Sequence, residues 1–189
     1  MLIGLCGCKQ VGKDTAAQWL VEEQGYTRLA FADKLKEAVA NLFNLTIQEI
    51  DILKTTGGRV VVDDDVTPLL YTSYSLRVFL QRFGTEMGRN TFGRHFWIGQ
   101  WLDAFQMIDH DTPVVVTDVR FENEARQIKI EGGFIIQIVR PGYNPDGHAS
   151  EERLSEHLID AYVENNTNLD EFKAKFLATI EGLSIGVVG

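Results

Sequence analysis

The chain has 189 residues, of which 44% are hydrophobic and 24% charged, and this balance is typical of one soluble globular domain. The formal net charge of −9 argues against broad nucleic-acid binding, and no apolar stretch approaches the length of a membrane span. We therefore expect no stable nucleic-acid or membrane partner. The two cysteines, Cys6 and Cys8, are too few for a disulfide framework, so we expect a cytoplasmic protein.

The first fifteen residues contain a glycine-bounded loop between a predicted strand and a predicted helix. Leu2 to Cys6 is a short apolar run typical of a buried strand, and Thr15 to Glu23 has a helical pattern that ends at Gly25. Strand, glycine-rich loop, lysine and helix, in that order, are typical of a phosphate-binding P-loop. Backbone N–H groups and the helix N-terminus attract phosphate there, and Lys13 can reach the outer phosphates. We therefore expect this loop to bind a nucleotide through Gly7, Lys9, Val11, Gly12 and Lys13.

Asp14 departs from the usual P-loop pattern, which has Ser or Thr directly after the lysine to bind Mg²⁺ through a hydroxyl. Here Thr15 comes one residue later. A carboxylate so near a polyphosphate is tolerable mainly when a cation lies between them, so we expect Asp14 to hold Mg²⁺, directly or through water. The alternative is an ordinary acidic residue in the first turn of a helix.

The next predicted strand and helix have charged residues where they meet. Tyr26 to Phe31 has the pattern of a strand, and Ala32 to Phe43 that of an amphipathic helix. Their junction contains Asp33, Lys34 and Lys36, at the carboxyl end of a strand, where α/β proteins bind ligands. For each of the three, ligand contact and a solvated first helical turn fit the sequence equally well.

The following segment gives weaker signals. Thr46 to Leu53 predicts a short helix, with Thr46 and Glu49 forming a capping box. Thr55 to Ser75 indicates a hairpin or a mobile excursion, because a valine run follows two glycines. The aspartates from Asp63 to Asp65 are more typical of an acidic turn between strands than of a metal cluster.

Ser75 to Gly88 predicts a helix with two different faces. Hydrophobic side chains at helical spacing predict a core face, formed by Leu76, Phe79, Leu80, Phe83 and Met87. The other face combines hydrogen-bonding side chains with glycines, namely Arg77, Gln81, Gly84, Thr85 and Gly88. Glycine lowers helix stability but lets a ligand or a backbone approach closely, so we favour ligand contact over a solvated surface.

Phe96 to Ile108 predicts another amphipathic helix, whose aromatic side chains Trp97, Trp101 and Phe105 belong to the core. Arg94 precedes this helix. It either meets an anion at the helix start or faces solvent, and the sequence does not decide between these roles.

A continuous apolar run, Pro113 to Thr117, predicts a buried strand that ends at Asp118. An acid at the tip of a buried strand, downstream of a P-loop, positions Mg²⁺ and water in P-loop enzymes. Arg120 lies two residues later and is suited to bind a phosphate with two parallel hydrogen bonds. A helix-capping aspartate with an arginine partner is the less favoured interpretation. The helix that follows runs from Glu122 to Glu131.

The next predicted strand, Phe134 to Val139, leads into Arg140 and then into a long polar stretch, Tyr143 to His157. This stretch is too long for a simple turn. We favour a lid that closes over phosphates and excludes water, with Arg140 and Arg153 as its charges. An excursion without function is the alternative.

The last predicted strand, Leu158 to Val163, is joined to the final helix by an asparagine-rich turn. Asn165 and Asn166 in this turn either cradle a nucleotide base through backbone groups or stabilise the turn itself. Asn168 and Glu171 resemble a capping box. The hydrophobic face of the final helix comprises Leu169, Phe172, Phe176, Leu177 and Ile180.

Together these motifs resemble the bacteriophage deoxynucleoside monophosphate kinases, a branch of the P-loop nucleoside monophosphate kinases. The P-loop carries the resemblance first, since Asp14 is expected after the lysine in this family. The further shared motifs are Arg77…Gln81…Gly84-Thr85-Glu86 with Asn90, Phe92, Arg94 and Trp97, then Asp118-Val119-Arg120, Val139 to Gly142, His148 to Glu151 and the Asn165-Asn166 turn. These motifs cover most of the chain outside residues 44–74.

The resemblance implies Mg²⁺-dependent transfer of the ATP γ-phosphoryl group to a deoxynucleoside monophosphate (dNMP), giving dNDP and ADP. It implies an α/β P-loop kinase fold, with a parallel sheet of about five strands flanked by helices. The whole chain, 1–189, would be a single domain with an NMP-binding region at about 33–97 and a lid at about 141–157. We also expect that the protein can form a homodimer. If it is phage-encoded, we expect it in the host cytoplasm.

The resemblance also implies roles by position. Lys13 would neutralise the β- and γ-phosphates, and Asp14, Thr15 and Asp118 would bind Mg²⁺ directly or through water. Catalysis would use Lys13, Arg120, Arg140 and Asp118, and ATP would also contact Asn165 and Asn166. The acceptor would contact Asp33, Lys34, Arg77, Gln81, Thr85, Arg94 and Glu124.

Two other classes stay open. A P-loop kinase of another phosphorylated acceptor, of the dephospho-coenzyme A or phosphomevalonate type, would keep the P-loop and change the acceptor pocket. A regulatory module would bind ATP without phosphoryl transfer. The match from Arg77 to Trp97 disfavours the first class, and the arginines at strand ends disfavour the second.

Overall fold

The computed structural model describes residues 1–62, 72–142 and 154–185. The chain forms two compact units, one of Met1–Phe31 with Leu102–Gly189 and the other of Ala32–Trp101. We call them unit 1 and unit 2. The described strands are β1 (Leu2–Cys6), β2 (Thr27–Leu29), β3 (Arg59–Val62), β4 (Thr72–Ser75), β5 (Val114–Val116), β6 (Phe134–Val139) and β7 (Ala161–Glu164). The described α-helices are α1 (Lys13–Gln24), α2 (Asp33–Leu42), α3 (Ile47–Thr56), α4 (Leu76–Arg82), α5 (Phe96–Gln106), α6 (Glu122–Ile130) and α7 (Leu169–Ile185).

Unit 1 is built on a parallel five-stranded sheet with the strand order β2-β5-β1-β6-β7. Every residue of the central strand β1 is buried, as expected for a parallel strand covered on both faces. All the strands run the same way, so their carboxyl ends meet at one edge, where α/β proteins bind ligands. The predicted fold of a parallel sheet flanked by helices is therefore confirmed.

The main core of unit 1 lies between the sheet and the helices α1 and α7. Trp19 of α1 packs edge-on against Phe172 of α7, with ring centroids 5.3 Å apart, and Phe176 lies beside them. Burying a large apolar side chain of this kind stabilises a fold by about 1.5–3 kcal/mol. One residue predicted for the hydrophobic face of α7 is not buried there. Leu169 at the start of α7 is 61% exposed, because the face turns toward the sheet only from Phe172 onward.

Unit 2 has its own core, formed by the buried side chains of Val39, Ala40, Ile50, Val60, Leu76 and Leu80. The predicted capping box of α3 is confirmed, since Glu49 N–H donates to Thr46 Oγ1 (3.2 Å) and Thr46 N–H donates to Glu49 Oε2 (2.7 Å). Strands β3 and β4 pair antiparallel, which confirms the hairpin prediction at its two ends. The acidic turn from Asp63 to Asp65 lies outside the described residues.

The helix predicted over Ser75 to Gly88 changes type in its middle. Ser75 Oγ caps α4 by accepting from Val78 N–H (3.3 Å), and a π-helix then runs from Phe83 to Phe92. A π-helix bonds i to i+5, so residues after Phe83 no longer keep the faces that an α-helix would give them. Met87, predicted as core, is 46% exposed for this reason.

Space at two glycines of the predicted ligand face is taken by neighbouring side chains of unit 2. A Cβ added at Gly88 would lie 2.2 Å from Trp97 Nε1, and one at Gly84 would lie 3.0 Å from Leu35 Cδ2. The same Trp97 Nε1–H donates to the Gly84 carbonyl at 2.8 Å in a buried hydrogen bond. The lack of a side chain at these two glycines therefore makes room for Trp97 and Leu35, and the expectation that they let a ligand approach is not met here.

The end of the predicted lid belongs to the body of unit 1. Leu154 and Leu158 are buried, and the Ser155 hydroxyl donates to the Glu122 carboxylate. Residues 156–158 form a 3₁₀ turn, so the strand predicted from Leu158 begins only at Ala161. The remainder of the predicted lid, with Arg153, lies outside the described residues. Within the described part of the chain, no helix has the length and apolar character needed to cross a membrane.

Candidate active site

The P-loop and the β7–α7 connection of unit 1 line a cleft of about 400 Å³. Its lining residues are Gln10, Gly12, Lys13, Asp14, Thr15, Arg140, Asn165, Thr167, Leu169 and Phe172. Of the predicted nucleotide and phosphate contacts, the cleft brings together Gly12, Lys13, Asp14, Thr15, Arg140 and Asn165. It does not include Gly7, Lys9, Val11, Asn166, Asp118 or Arg120 in its lining.

The shape of the loop depends on two glycines. Gly7 has φ +131°, and a Cβ there would lie 2.4 Å from the Ile138 carbonyl oxygen on the neighbouring strand. Gly12 has φ +108° and caps the N-terminus of α1. Residues with a side chain rarely adopt such backbone angles, so glycine is required at both positions for the chain to turn from β1 into α1.

Lys13 is the central cation of the cleft. Its ammonium group donates hydrogen bonds to the carbonyl oxygens of Gly7 (2.7 Å) and Cys8 (2.6 Å), so it lies across the loop. Burial lowers the pKa of Lys13, and the nearby positive charge of Arg120 lowers it further, while Asp14 opposes both effects. Lys13 and Arg120 are therefore close enough to feel each other's charge, and neighbouring positive charges of this kind are suited to phosphate oxygens.

Oxygen donors suited to a hard divalent cation lie beside the lysine. Asp14 and Thr15 occupy the first turn of α1, Asp14 exposed and Thr15 half-buried, and both line the cleft. Among residues 1–62, 72–142 and 154–185, no group of three or more His, Cys, Asp or Glu side chains could hold a metal by itself. Mg²⁺ is commonly held by one or two carboxylates together with substrate phosphates, so this donor set fits Mg²⁺ better than a metal with an all-protein site.

The turn after β5 carries the other predicted acid and arginine. Asp118 Oδ1 accepts a hydrogen bond from Phe31 N–H (2.8 Å), which ties the turn to the end of β2. Glu124, only 3% exposed, holds the same turn with Oε2, which accepts from the N–H groups of Arg120 (2.9 Å) and Phe121 (3.0 Å). Glu124 thus anchors the backbone of Arg120, and its predicted contact with an acceptor stays a prediction.

The loop and turn residues differ in what they can offer a ligand. Val11 is 2% exposed and packs into the core, so it can offer a ligand only its backbone groups. Asn165 Nδ2–H donates to the Val11 carbonyl (2.8 Å), whereas Asn166 Nδ2–H donates to Glu164 Oε2 (2.8 Å) on the surface. Lys9 is exposed on the loop.

Sequence reasoning missed four residues that line the cleft, namely Gln10, Thr167, Leu169 and Phe172. Thr167, Leu169 and Phe172 follow the asparagine turn directly. Their position beside the asparagine turn is the sequence signal for them, because the turn itself is a candidate contact of the nucleotide. The helical pattern predicts Leu169 as part of a core face, whereas the structure shows it exposed in the lining of the cleft.

The predicted acceptor contacts other than Glu124 belong to unit 2. Arg77 and Gln81 are half-buried and lie one turn apart on α4, and Thr85 is exposed in the π-helix. Arg94 is exposed before α5, and Asp33 begins α2. Lys34 Nζ pairs with Glu37 Oε2 at 2.7 Å on the surface. Their contact with an acceptor stays a prediction.

Comparison with known structures identifies the fold as that of P-loop kinases. A dephospho-CoA kinase from Campylobacter jejuni shares 15% identity and a TM-score of 0.56, with 98% of each chain covered. A shikimate kinase from Aquifex aeolicus vf5 shares 16% identity and a TM-score of 0.51, with 98% of this chain and 99% of the other covered. At such identities the likeness concerns the fold alone.

Comparison of sequences goes further. A family model described as deoxynucleotide monophosphate kinase matches residues 61–176. A protein of Acanthamoeba polyphaga mimivirus, provisionally named deoxynucleotide monophosphate kinase, is 35% identical over 193 residues, covering 97% of this chain and 98% of the relative. The deoxynucleotide monophosphate kinase of Enterobacteria phage T4 is 23% identical over 241 residues, covering 96% and 99%. The chain therefore belongs to the deoxynucleotide monophosphate kinase family and is a phosphotransferase of the P-loop kinase fold.

Proposed function

We propose that the protein transfers the γ-phosphoryl group of ATP to a deoxynucleoside monophosphate in a Mg²⁺-dependent reaction, giving ADP and dNDP. The observation that carries the proposal is the cleft in which Lys13, the N-terminus of α1 and the oxygens of Asp14 and Thr15 converge. Family membership supports the nucleotide substrate, and the names of the relatives support the deoxynucleotide.

The ATP phosphates would lie along the P-loop. Its backbone N–H groups and the positive end of α1 bind anions without any charged side chain. The ammonium of Lys13 would move from the carbonyl oxygens of Gly7 and Cys8 to the β- and γ-phosphates, because a phosphate oxygen is the stronger acceptor. The base and sugar would lie toward Thr167, Leu169 and Phe172, which add apolar surface to the same cleft.

Asp14, Thr15 and Asp118 would hold Mg²⁺, directly or through water. Bound Mg²⁺ would neutralise charge that develops on the phosphate oxygens. The chain itself supplies the remaining stabilisation. Arg140 lines the cleft, and Arg120 is close enough to Lys13 to lower its pKa, so both arginines would stabilise the transferred group. Phosphoryl transfer is mostly positioning and charge stabilisation, so no covalent enzyme intermediate is required.

The acceptor would be held through Arg77, with Gln81 and Thr85 as hydrogen-bonding partners. Arginine suits the acceptor phosphate because its planar guanidinium can bind two phosphate oxygens at once. Asp33, Lys34, Arg94 and Glu124 are the further proposed contacts of the acceptor. A homodimer is also proposed, and sedimentation equilibrium measures it directly.

The experiment that tests this function is a coupled assay of ADP release from Mg²⁺-ATP. The acceptors are dTMP, dGMP, dCMP, dAMP, dephospho-coenzyme A and phosphomevalonate, each added separately. We expect turnover with one or more dNMPs. Turnover only with another acceptor would refute the dNMP proposal, and ATP binding without any turnover would favour a regulatory module.

Variants test the assigned roles in the same assay. Lys13→Ala and Arg120→Ala should each lower kcat at least about 100-fold, the loss expected when a group that stabilises developing charge is removed. Arg126→Ala is the matched control, because Arg126 is exposed on α6 and pairs with Glu122 at the surface (3.0 Å). Near-normal turnover of Lys13→Ala or Arg120→Ala would contradict the role assigned to that residue.

A further inference from the structure

We propose that Asn165 is a positioning residue, which holds the P-loop in its phosphate-binding shape through the carbonyl group of Val11. This role differs from the predicted contact between the asparagine turn and a nucleotide base. It deepens the proposed function and rests on it, because it assumes that the P-loop binds the phosphates of ATP.

The contact joins two parts of the chain that are distant in sequence. Asn165 Nδ2–H donates to the Val11 carbonyl oxygen at 2.8 Å across a separation of 154 residues. The orientation of the amide follows from chemistry, since a carbonyl oxygen only accepts and Nδ2 is the donor of an asparagine side chain. Asn165 is itself anchored to the sheet, because its backbone N–H donates to the Val139 carbonyl at 2.7 Å. The sheet therefore holds the loop through one short side chain.

The geometry of the peptide bond turns this contact into control of a phosphate ligand. The peptide between Val11 and Gly12 is planar and trans, so its C=O and N–H groups point to opposite sides. When Asn165 fixes the direction of the Val11 carbonyl, it also fixes the direction of the Gly12 N–H. That N–H belongs to the loop segment that precedes Lys13 and lines the cleft.

Gly12 needs such a restraint. Glycine has the widest choice of backbone angles, and without a restraint its N–H would sample several directions. Around Gly12 the packing is close, since an added Cβ would lie 2.8 Å from Asn165 Nδ2 and 3.1 Å from Phe172 Cε1. The side chain of Val11 is buried in the core of unit 1. The peptide is thus held between the core and the asparagine.

The test compares a ligand that has a base with one that has none. Asn165→Leu keeps the size of the side chain and removes the donor. Binding of Mg²⁺-ATP and of inorganic tripolyphosphate is measured by calorimetry for the wild-type protein and the variant. We expect both ligands to bind about tenfold more weakly to the variant, because the lost hydrogen bond leaves a carbonyl without its donor and disorders the phosphate contacts.

The two ligands separate the possible roles. A loss for ATP with unchanged tripolyphosphate affinity would show that Asn165 contacts the base or sugar, and would overturn the proposal. Unchanged affinity for both ligands would overturn it as well. If the wild-type protein binds neither ligand, the proposed function fails. If the wild-type protein binds both ligands and Asn165→Leu changes neither affinity, only this inference fails, so the two failures are distinguishable.

Thr179→Val is the matched control. It removes a side-chain donor to a backbone carbonyl, since Thr179 Oγ1–H bonds to the Lys175 carbonyl at 2.8 Å on α7, away from the cleft. It should leave both affinities unchanged. If Asn165→Leu does not fold, Asn165→Ala removes the same donor without adding apolar bulk, and the same comparison of ligands applies to it.

Discussion

The close packing of Gly88 against Trp97 makes Gly88→Ala a sharp test of how unit 2 is built. An added Cβ would lie 2.2 Å from Trp97 Nε1, 2.6 Å from Cε2 and 2.9 Å from Cζ2. Real carbon contacts lie near 3.5–4.0 Å, at roughly the van der Waals minimum, so the indole ring must move by about 1 Å. The hydrogen bond from Nε1–H to the Gly84 carbonyl, 2.8 Å long and buried, cannot survive that movement.

The expected loss of stability follows from three contributions. Breaking a buried hydrogen bond and leaving its groups unpaired costs about 1–3 kcal/mol. Overpacking a filled site costs about 1–3 kcal/mol. Alanine favours a helical backbone over glycine by about 1 kcal/mol, which offsets part of the loss. We therefore expect Gly88→Ala to lower the free energy of unfolding by about 3 kcal/mol.

Urea unfolding followed by circular dichroism measures this change, and Gly99→Ala is the matched control. Gly99 lies in the interior of α5, and among the described residues a Cβ there would meet nothing within 4 Å beyond its chain neighbours and the backbone of its own helix. The same substitution should therefore be neutral or stabilise the protein by up to about 1 kcal/mol. Equal stability of the two variants, together with weaker binding of dNMP by Gly88→Ala alone, would refute the packing explanation and restore the ligand-contact interpretation.

Three further predictions concern unit 1. Gly7→Ala should lower the free energy of unfolding by about 3 kcal/mol or more in urea, because its Cβ would lie 2.4 Å from the Ile138 carbonyl oxygen at φ +131°; a smaller loss would mean that the strand yields. ATP affinity should fall as pH rises through the lowered pKa of Lys13, because the ammonium group then loses its charge. Arg120→Gln should move this fall to higher pH, because removing a positive neighbour raises the pKa of Lys13. Calorimetric titrations up to about pH 10.5 measure the fall, and the same pH dependence in the wild-type protein and the variant would contradict this prediction. Glu124→Ala should cost about 1–3 kcal/mol in thermal unfolding, since it removes the acceptor of two backbone N–H groups, and an unchanged Tm would contradict the anchoring role.

Much of unit 1 is predictable because its signals are local. A buried parallel strand is a short apolar run, and a P-loop is a run of glycines and a lysine at fixed spacing, so neither needs distant information. The strands around Ile3, Val115 and Ile136 were expected for this reason. The capping box of Thr46 and Glu49 was equally accessible, because both partners lie within one helical turn.

The π-helix was not predictable from spacing. Leu76 and Leu80 lie on the α-helical face that the periodicity indicates, but Met87 does not, because the hydrogen-bonding pattern changes at Phe83. The sequence predicts a close approach at Gly88, but a close approach by a ligand or a backbone. A glycine in a helix signals a close approach, and only the folded chain shows that the approaching group is the ring of Trp97.

The sequence by itself determined the class of the protein, since the P-loop, the acid after β5 and the order of strands and helices are all encoded within short segments. The tertiary structure alone decided how these segments cooperate. The bond from Asn165 to Val11 joins positions 154 residues apart, and no local pattern specifies such a pairing. The same holds for Glu124, which is predicted as an acceptor contact and which the structure shows buried and bonded to the backbone N–H of Arg120. Local patterns report backbone preference and burial, whereas a site depends on which side chains the folded chain brings within hydrogen-bonding distance.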